Sequence, residues 1–400
     1  MNPPVCIGFA EALSAPEVAW SLVDGGYQVT AFGRRGRCSS LRHSRHVRVV
    51  EITPPEIDCD AALADLRNLL ASLSIPREQG VFMPLDDAAV WLSGRLELPS
   101  GWACAGAGRS LAHVALDKCF QVRTAIAAGL PVPETVVATT KDQVLQHSDR
   151  LPLILRPARA VWPKDGRLTG GPNRACATRV ELERALHDWN AAYPVLLQPF
   201  IRGRGEGIFG LANSEGVKAW SAHRRIRMVN PKGSGSSACV SADVPSDLQK
   251  PIENFIRRSG WRGIFMVELL RDHTDNPWFV EFNGRPWGSM ALSRRRGLEY
   301  PAWNVQLANC PGWVPNMPPQ KQNHIVCRHF GRECAHLLYV ARGPRSNAYR
   351  EWPSLWRALL DVLFIGKGDS FYNWRHDDKA VFFADWWYTL RQTIAKGFGR

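Results

Sequence analysis

Residues 280–285, VEFNGR, set an acid, an amide and a base at alternate positions. In a β-strand successive side chains alternate between faces, so Glu281, Asn283 and Arg285 project together while Phe282 points into packing. Upstream, GIFMVELL is a second apolar run carrying one acid, Glu268. The turn-rich RDHTDNP between the two runs predicts an antiparallel hairpin. A hairpin symmetric about residues 274 and 275 sets Glu268 directly across from Glu281. Opposed carboxylates repel, and more so when buried, unless a cation lies between them. Glu, Glu and Asn offer hard oxygens that suit Mg2+ rather than zinc, and a magnesium that keeps water positions open most often carries phosphate. The other reading is of two carboxylates on a hairpin rim, paired with surface arginines.

Two further clusters bear on chemistry. SAHRRIRM at 221–228, as a regular strand, puts His223, Arg225 and Arg227 on one face and Arg224 on the other. HIVCRHFGRECAH at 324–336 gathers His324, Cys327, His329, Cys334 and His336, but its spacing matches no zinc signature, so packing and surface positions are the favoured reading. No Ser-His-Asp or Cys-His signature stands out.

The elements that must position these groups follow from periodicity. VCIGFA, the helical pattern APEVAWSLVDGG and YQVTAFG read strand, helix, strand, and with DAALADLRNLLASL and VFMPL they make the first 105 or so residues an open parallel sheet. GFAEAL follows the first strand where a dinucleotide fold would carry G-x-G-x-x-G, which argues against NAD. A long helical pattern over 111–129 stops at Gly129, with Pro131 and Pro133 forcing an extended exit. The strand LPLILRPA, a Gly-rich loop at 159–172, a helix ELERALHDW and the strand VLLQPFI come next. IFGLANSEGVKAWSAHRRIRM reads as a hairpin around residues 213–216, NPKGSGSS as a flexible tract, and the Pro-rich 311–323 as a boundary before a separate appendage.

The net charge of +13 and pI near 9.5 favour anionic partners: nucleotides, acidic substrates, nucleic acid or an anionic membrane surface. The N-terminus lacks a cationic n-region and no apolar run reaches the length of a bilayer span, so a cytoplasmic location is expected. Ten scattered cysteines without CxxC pairs predict no disulfides. A second functional class rests on the charge and on Trp352, Leu355, Trp356, Leu359, Leu360 and Leu363, which fall along one helical face. Such a stripe is more often core, which leaves weak contact with an anionic membrane as the lesser expectation. Specific nucleic-acid binding is not expected, because no recognition motif accompanies the charge.

Several ordered motifs over residues 1–310 together resemble the ATP-grasp superfamily, in its carboxylate-amine ligase branch with carbamoyl-phosphate-synthase-like architecture. LDKCFQVRTAIAAGLPVPET resembles its DK helix and exit, LPLILRPA a strand usually written with KP, LLQPFIRGRGEG the strand that cradles adenine, and MVELL with VEFNGRPWGS its metal-binding pair. The resemblance implies an α/β chain. A Rossmann-like parallel-sheet domain over 1–108 precedes an ATP-grasp domain over 109–310, with lobes at 109–192 and 193–310 gripping ATP, and a Trp/Arg-rich extension follows at 324–400. It implies ATP with two Mg2+ or Mn2+ ions, Lys118 and Arg156 on phosphates, Gln198 with Phe200 and Ile201 around adenine, and Glu206 on ribose. Glu268, Glu281 and Asn283 are then the metal ligands, and the loop 159–172 the flap. Arg225 or Arg227 would steady the transferred phosphoryl group, and Arg285 the acyl phosphate or substrate carboxylate. The implied activity joins a small carboxylic acid to an amine through an acyl phosphate, in a homodimer by family analogy. Arg156 stands where the family usually has Lys, which leaves open an ATP-binding chain without ligase activity.

Overall fold

A computed structural model describes residues 3–398 except 75–77, 188, 190–192, 234, 319–323, 345–351 and 367. Five strands, β1 (Pro4–Gly8), β2 (Gln28–Arg34), β3 (Arg48–Ile52), β4 (Gly80–Pro84) and β5 (Trp102–Cys104), form a parallel sheet in the order β3-β2-β1-β4-β5. β1 and β4 are buried throughout, as strands covered on both faces must be. Helices α1 (Ala15–Asp24), α2 (Cys59–Ser72) and α3 (Asp87–Ser93) link them. The strand order reverses between β1 and β4, where parallel sheets open a crevice at their carboxyl ends. At that edge Asp86 caps α3 by accepting the Ala89 N–H at 2.8 Å, which presents Asp87 as the first helical residue.

The helical pattern over 111–129 is broken into α4 (Ala112–Leu116) and α5 (Lys118–Ala128). Asp117 between them is extended, caps α5 through the Phe120 N–H at 2.9 Å, and so sets Lys118 at a helix start. Gly129 ends α5 at φ 85°, a conformation glycine adopts without strain. A second sheet follows, β6 (Val136–Ala138), β7 (Leu153–Pro157), β10 (Arg174–Cys176) and β11 (Val195–Pro199), ordered β10-β7-β11-β6 and backed by α6 (Lys141–Leu145) and α7 (Arg179–His187). The hairpin β8 (Trp162–Lys164) and β9 (Arg167–Thr169) lies between β7 and β10 in sequence.

The third sheet has seven strands: β12 (Gly203–Asn213), β13 (Gly216–Met228), β14 (Ser236–Ala242), β15 (Gly263–Asp272), β16 (Pro277–Asn283), β17 (Val326–Arg328) and β18 (Ser370–Phe371), ordered β16-β15-β12-β13-β14-β17-β18. The β12–β13 hairpin turns at Asn213 and Gly216, as its sequence predicts. On one face Ile208, Ala222, Val267 and Leu269 pack against Leu248, Ile252 and Phe255 of α8 (Ser246–Ser259). On the other, Phe209 and Met266 meet Trp287, Met290 of α9 (Met290–Arg295) and Tyr300 of α10 (Tyr300–Asn309), which join the core of the first sheet.

The C-terminal region is not the separate appendage that its Pro-rich boundary suggests. β17 extends the third sheet by pairing with β14, and β18 pairs with β17. The helices α11 (Phe330–Arg342), α12 (Leu355–Leu363) and α13 (Lys379–Phe398) complete the region. Asp378 accepts hydrogen bonds from the Trp20 indole at 2.9 Å and the Arg45 N–H at 3.2 Å, which fastens the region to the first sheet's surroundings. The apolar stripe of α12, expected to be core, faces solvent instead. All ten cysteines are free.

Candidate functional site

The β15–β16 ladder registers Glu268 with Glu281, the pairing that the symmetric hairpin predicts. Across β12 and β13 the same ladder continues through Gly207 to His223, so one transverse row runs Glu281, Glu268, Gly207, His223. Gly205 and Gly207, two of the three glycines of GRGEG, open the surface along this row. A Cβ on Gly205 would lie 2.6 Å from Arg225 Cδ, and one on Gly207 would lie 2.9 Å from His223 Nε2. Arg225 therefore passes over Gly205 and reaches from β13 across β12 to Glu268, Nη2 to Oε1 2.7 Å. The Glu268 pairing raises Arg225's pKa against the lowering effect of burial and keeps it cationic.

Glu281 meets two cations, Lys118 Nζ at the start of α5 at 3.4 Å and Arg156 Nη2 of β7 at 3.0 Å. Burial would raise the Glu281 pKa, but Lys118, Arg156 and Arg285 outweigh it and hold the carboxyl well below the usual carboxylate range. Arg156 also donates to the Val280 carbonyl at 2.8 Å and to Gln198 Oε1 at 3.4 Å, while Gln198 donates to Thr135 Oγ1 at 2.8 Å. Arg285 Nε bonds Asp87 Oδ1 at 2.6 Å, and the charges of Asp87 and Glu281 raise its pKa despite burial. Asn283 donates to Glu281 Oε1 at 3.3 Å. Lys118, Gln121, Glu281, Asn283, Asp87 and Asn173 line a cavity of about 220 Å3. Gly171 of the Gly-rich loop also reaches it, while the tip of that loop is latched to the start of α2 by the Cys59 N–H on the Gly166 carbonyl at 2.8 Å.

The structure thus brings together Lys118, Arg156, Arg285, Glu268, Glu281, Asn283 and Arg225, with Gln198 behind Arg156. Two expected members are elsewhere. Glu206 registers with Leu269, one residue off the Glu268 row, so it projects from the opposite face of the sheet. There it is bound by Arg204 at 3.0 Å and Arg271 at 2.8 Å, and the ribose role expected of it does not fit. Arg227 is displaced by a bulge: the ladder with β14 slips between Arg225 and Arg227, and Arg227 pairs with Glu333 of α11 rather than facing the site. Phe200 and Ile201 are half-buried beside β11, but the Phe200 N–H is already bonded to the Pro152 carbonyl at 2.9 Å. Among the described residues no group of three or more His, Cys, Asp or Glu side chains could hold a metal, and in the 324–336 cluster His329 is engaged by Asp385 at 2.9 Å.

Sequence reasoning did not single out Gln121, Thr135 or Asp87. Gln121 is buried on the same face of α5 as Lys118, three residues on, and grips the backbone between Glu281 and Asn283. Its Oε1 accepts the Phe282 N–H at 3.1 Å and its Nε2 donates to the Phe282 carbonyl at 2.9 Å. This clamp ties Lys118 to Glu281 and Asn283. Gln121→Leu should raise the free Mg2+ needed for half-maximal turnover about tenfold at little change in saturated rate, read from a magnesium titration; Gln121→Glu, which retains only the acceptor, should fall between. An unchanged magnesium requirement in both would sink the clamp.

His223 is buried, bonded at Nδ1 to Ser289 Oγ at 2.8 Å, and its pKa is lowered to about 3 by burial and then by Arg225. A histidine kept neutral in the folded state and free to protonate near 6.5 when unfolded adds stability that is complete above 6.5 and declines as pH falls toward 3. Denaturant unfolding across that window should show a slope steeper by up to about 1.4 kcal/mol per pH unit than His223→Gln. Parallel slopes would contradict it.

The donor set fits a hard divalent cation. Two opposed carboxylates and an amide oxygen are the oxygen chemistry Mg2+ takes, with Lys118, Arg156 and Arg225 paired to the two acids around them.

No protein-family model matches the chain, and no curated protein matches it in sequence. Solved structures do. An L-amino acid ligase from Bacillus licheniformis matches at 18% identity over 78% of this chain and 75% of its own, with a TM-score of 0.56. The biotin carboxylase domain of a Hydrogenobacter thermophilus 2-oxoglutarate carboxylase, complexed with MgADP and bicarbonate, matches at 14% over 82% and 74%, TM-score 0.61. An N5-carboxyaminoimidazole ribonucleotide synthetase in complex with ADP matches at 14% over 86% of each chain, TM-score 0.58. At these identities the likeness speaks to the fold.

Proposed function

We propose that this chain, which has the ATP-grasp fold, is an ATP- and Mg2+-dependent carboxylate-amine ligase. The observation that carries this reading is the Glu268–Glu281 pair, set opposite one another in a β-ladder with Lys118, Arg156 and Arg225 converging on it. A substrate carboxylate attacks the γ-phosphorus of ATP, the bond to the β–γ bridging oxygen breaks, and ADP leaves with that electron pair. The amine then adds to the acyl phosphate carbon and phosphate departs, the amine proton passing to solvent or phosphate. Lys118 neutralises phosphate oxygens from the start of α5, and Arg225 and Arg285 hold the transferred phosphoryl group and the substrate carboxylate. Glu268, Glu281 and Asn283 would hold Mg2+, which when bound screens the charge between phosphate oxygens. Gln198, the Phe200 ring and Ile201 border the base. The domain division at 108 and 310 and a homodimer belong to the same reading, which is supported by the parallel sheet ahead of the two lobes and by the ligases and carboxylase among the structural neighbours.

A screen of acid and amine pairs for coupled ADP and phosphate release tests the reaction. One specific observation favours a second reading, nucleotide binding without ligation: Arg156, where a lysine free to swing to phosphate is usual, is fixed by Glu281, Val280 and Gln198. Tight MgATP binding with no release over any pair would establish that reading instead.

A further inference from the structure

Helix α12 is held by its backbone. Its C-terminal carbonyls are taken by two guanidinium groups from the third sheet: Arg227 donates to the Asp361 carbonyl at 2.9 Å, and Arg328 to those of Val362 at 2.5 Å and Phe364 at 2.7 Å. Ser354 caps the N-terminus through the Arg357 N–H, and Trp352 just upstream bonds the Val340 carbonyl at 3.0 Å. Only Ala358 of the helix is buried. Trp356 is 70% exposed, Leu363 66%, Phe364 77% and Ile365 57%, with Leu355 and Leu360 half exposed beside them. These six large apolar side chains lie within eleven residues, fixed in place and in contact with water. Scattered exposed apolar residues are ordinary, but a contiguous rigid group of them marks a docking surface.

We propose that α12 and residues 364–365 dock on an anionic lipid surface. Residues 342–367 carry Arg342, Arg345, Arg350, Arg357 and Lys367 against Glu351 and Asp361, a local excess of positive charge within a chain of +13. Exposed tryptophan, leucine and phenylalanine with flanking bases is the composition that enters a headgroup layer, the apolar groups through burial and the bases through the negative surface potential. A second copy of this chain would set the same positive segment against itself, and a nine-residue helix offers little of the roughly 800 Å2 per partner that a stable interface needs. Among the described residues no helix is long and apolar enough to cross a membrane, so the contact is interfacial. The inference stands apart from the ligase reading.

The experiment is vesicle co-flotation of the full chain with phosphatidylcholine vesicles, with and without phosphatidylglycerol, at low and high salt. The wild type should partition onto the anionic vesicles at least about tenfold better than onto neutral ones, and high salt should reduce this. The triple variant Trp356→Ser, Leu363→Ser, Phe364→Ser should lose about tenfold or more with an unchanged melting temperature, since these side chains pack against little. Arg357→Glu should weaken the anionic preference alone. Equal partition onto both vesicle types, or undiminished binding by the triple variant, overturns the proposal. So does a dimer in light scattering that the triple variant dissociates while neither protein floats, which would make this face a self-interface.

Discussion

Glu281→Gln should reduce MgATP-dependent turnover by at least about a thousandfold, with Glu268→Gln close behind. Glutamine keeps the shape and one acceptor, so any loss reads the charge. At position 281 that charge answers both Lys118 and Arg156. Removing it leaves two cations facing a neutral amide in a largely buried pocket, which both expels a divalent ion and costs several kcal/mol of stability, about 3–5 where a buried partner is orphaned. At position 268 the one ion pair among the described residues is with Arg225, so the loss of magnesium should come with a smaller drop in melting temperature. Two measurements separate the effects: ADP release as free Mg2+ is raised, and thermal unfolding without nucleotide. Because neighbouring cations hold the Glu281 carboxyl ionised well below the usual range, the wild-type rate should show no loss attributable to its protonation at mildly acidic pH. Full turnover in either variant would remove the metal assignment.

Gly205→Val should cost about a hundredfold or more in kcat, as should Arg225→Ala, although residue 205 bears no functional group. The reason is steric. Arg225 reaches Glu268 by lying across the backbone of β12, and a side chain at 205 would enter the space of its Cδ, 2.6 Å from where a Cβ must be. The arginine is then pushed off the transverse row while its charge and the strand pairing remain. Both variants should keep the affinity for ATP, because the groups proposed to border the base lie on β11 and the following loop, and should lose the rate of phosphoryl transfer. A double variant no worse than either single one would show that both act through the same displaced guanidinium. If Gly205→Val is fully active while Arg225→Ala is not, Arg225 reaches its target by another path.

The pairing of Glu268 with Glu281 was legible because side-chain direction has a period of two and the turn between the runs is short, although nearer the turn a bulge after Glu268 shifts the ladder so that Leu269 pairs with Phe279. The same period explains the failure at Glu206, where a single-residue offset moves a side chain to the other face. Arg227 was lost to a bulge, which no alternation pattern announces. Gln121 and Asp87 act on residues 161 and 198 positions away, and one sequence holds no record of which distant backbone a glutamine will grip or which arginine an aspartate will hold. The Pro-rich boundary misled for a related reason. It marks a change of local chain character, whereas membership of the third sheet depends on hydrogen bonds from β17 to β14, far upstream. The stripe on α12 was read correctly as an apolar face, but periodicity does not say whether anything covers it.

β16 is the last strand of its sheet, and its outer backbone groups are a template on which any extended peptide could assemble. In this chain they are occupied: the Phe279 N–H by the Pro131 carbonyl at 2.7 Å, the Val280 carbonyl by Arg156, and both groups of Phe282 by Gln121. Arg156 and Gln121, proposed above to position the phosphate and metal site, therefore also close an open sheet against polymerisation. Variants chosen only for their chemistry at Arg156 or Gln121 would expose that edge, and loss of soluble protein on storage would accompany loss of turnover.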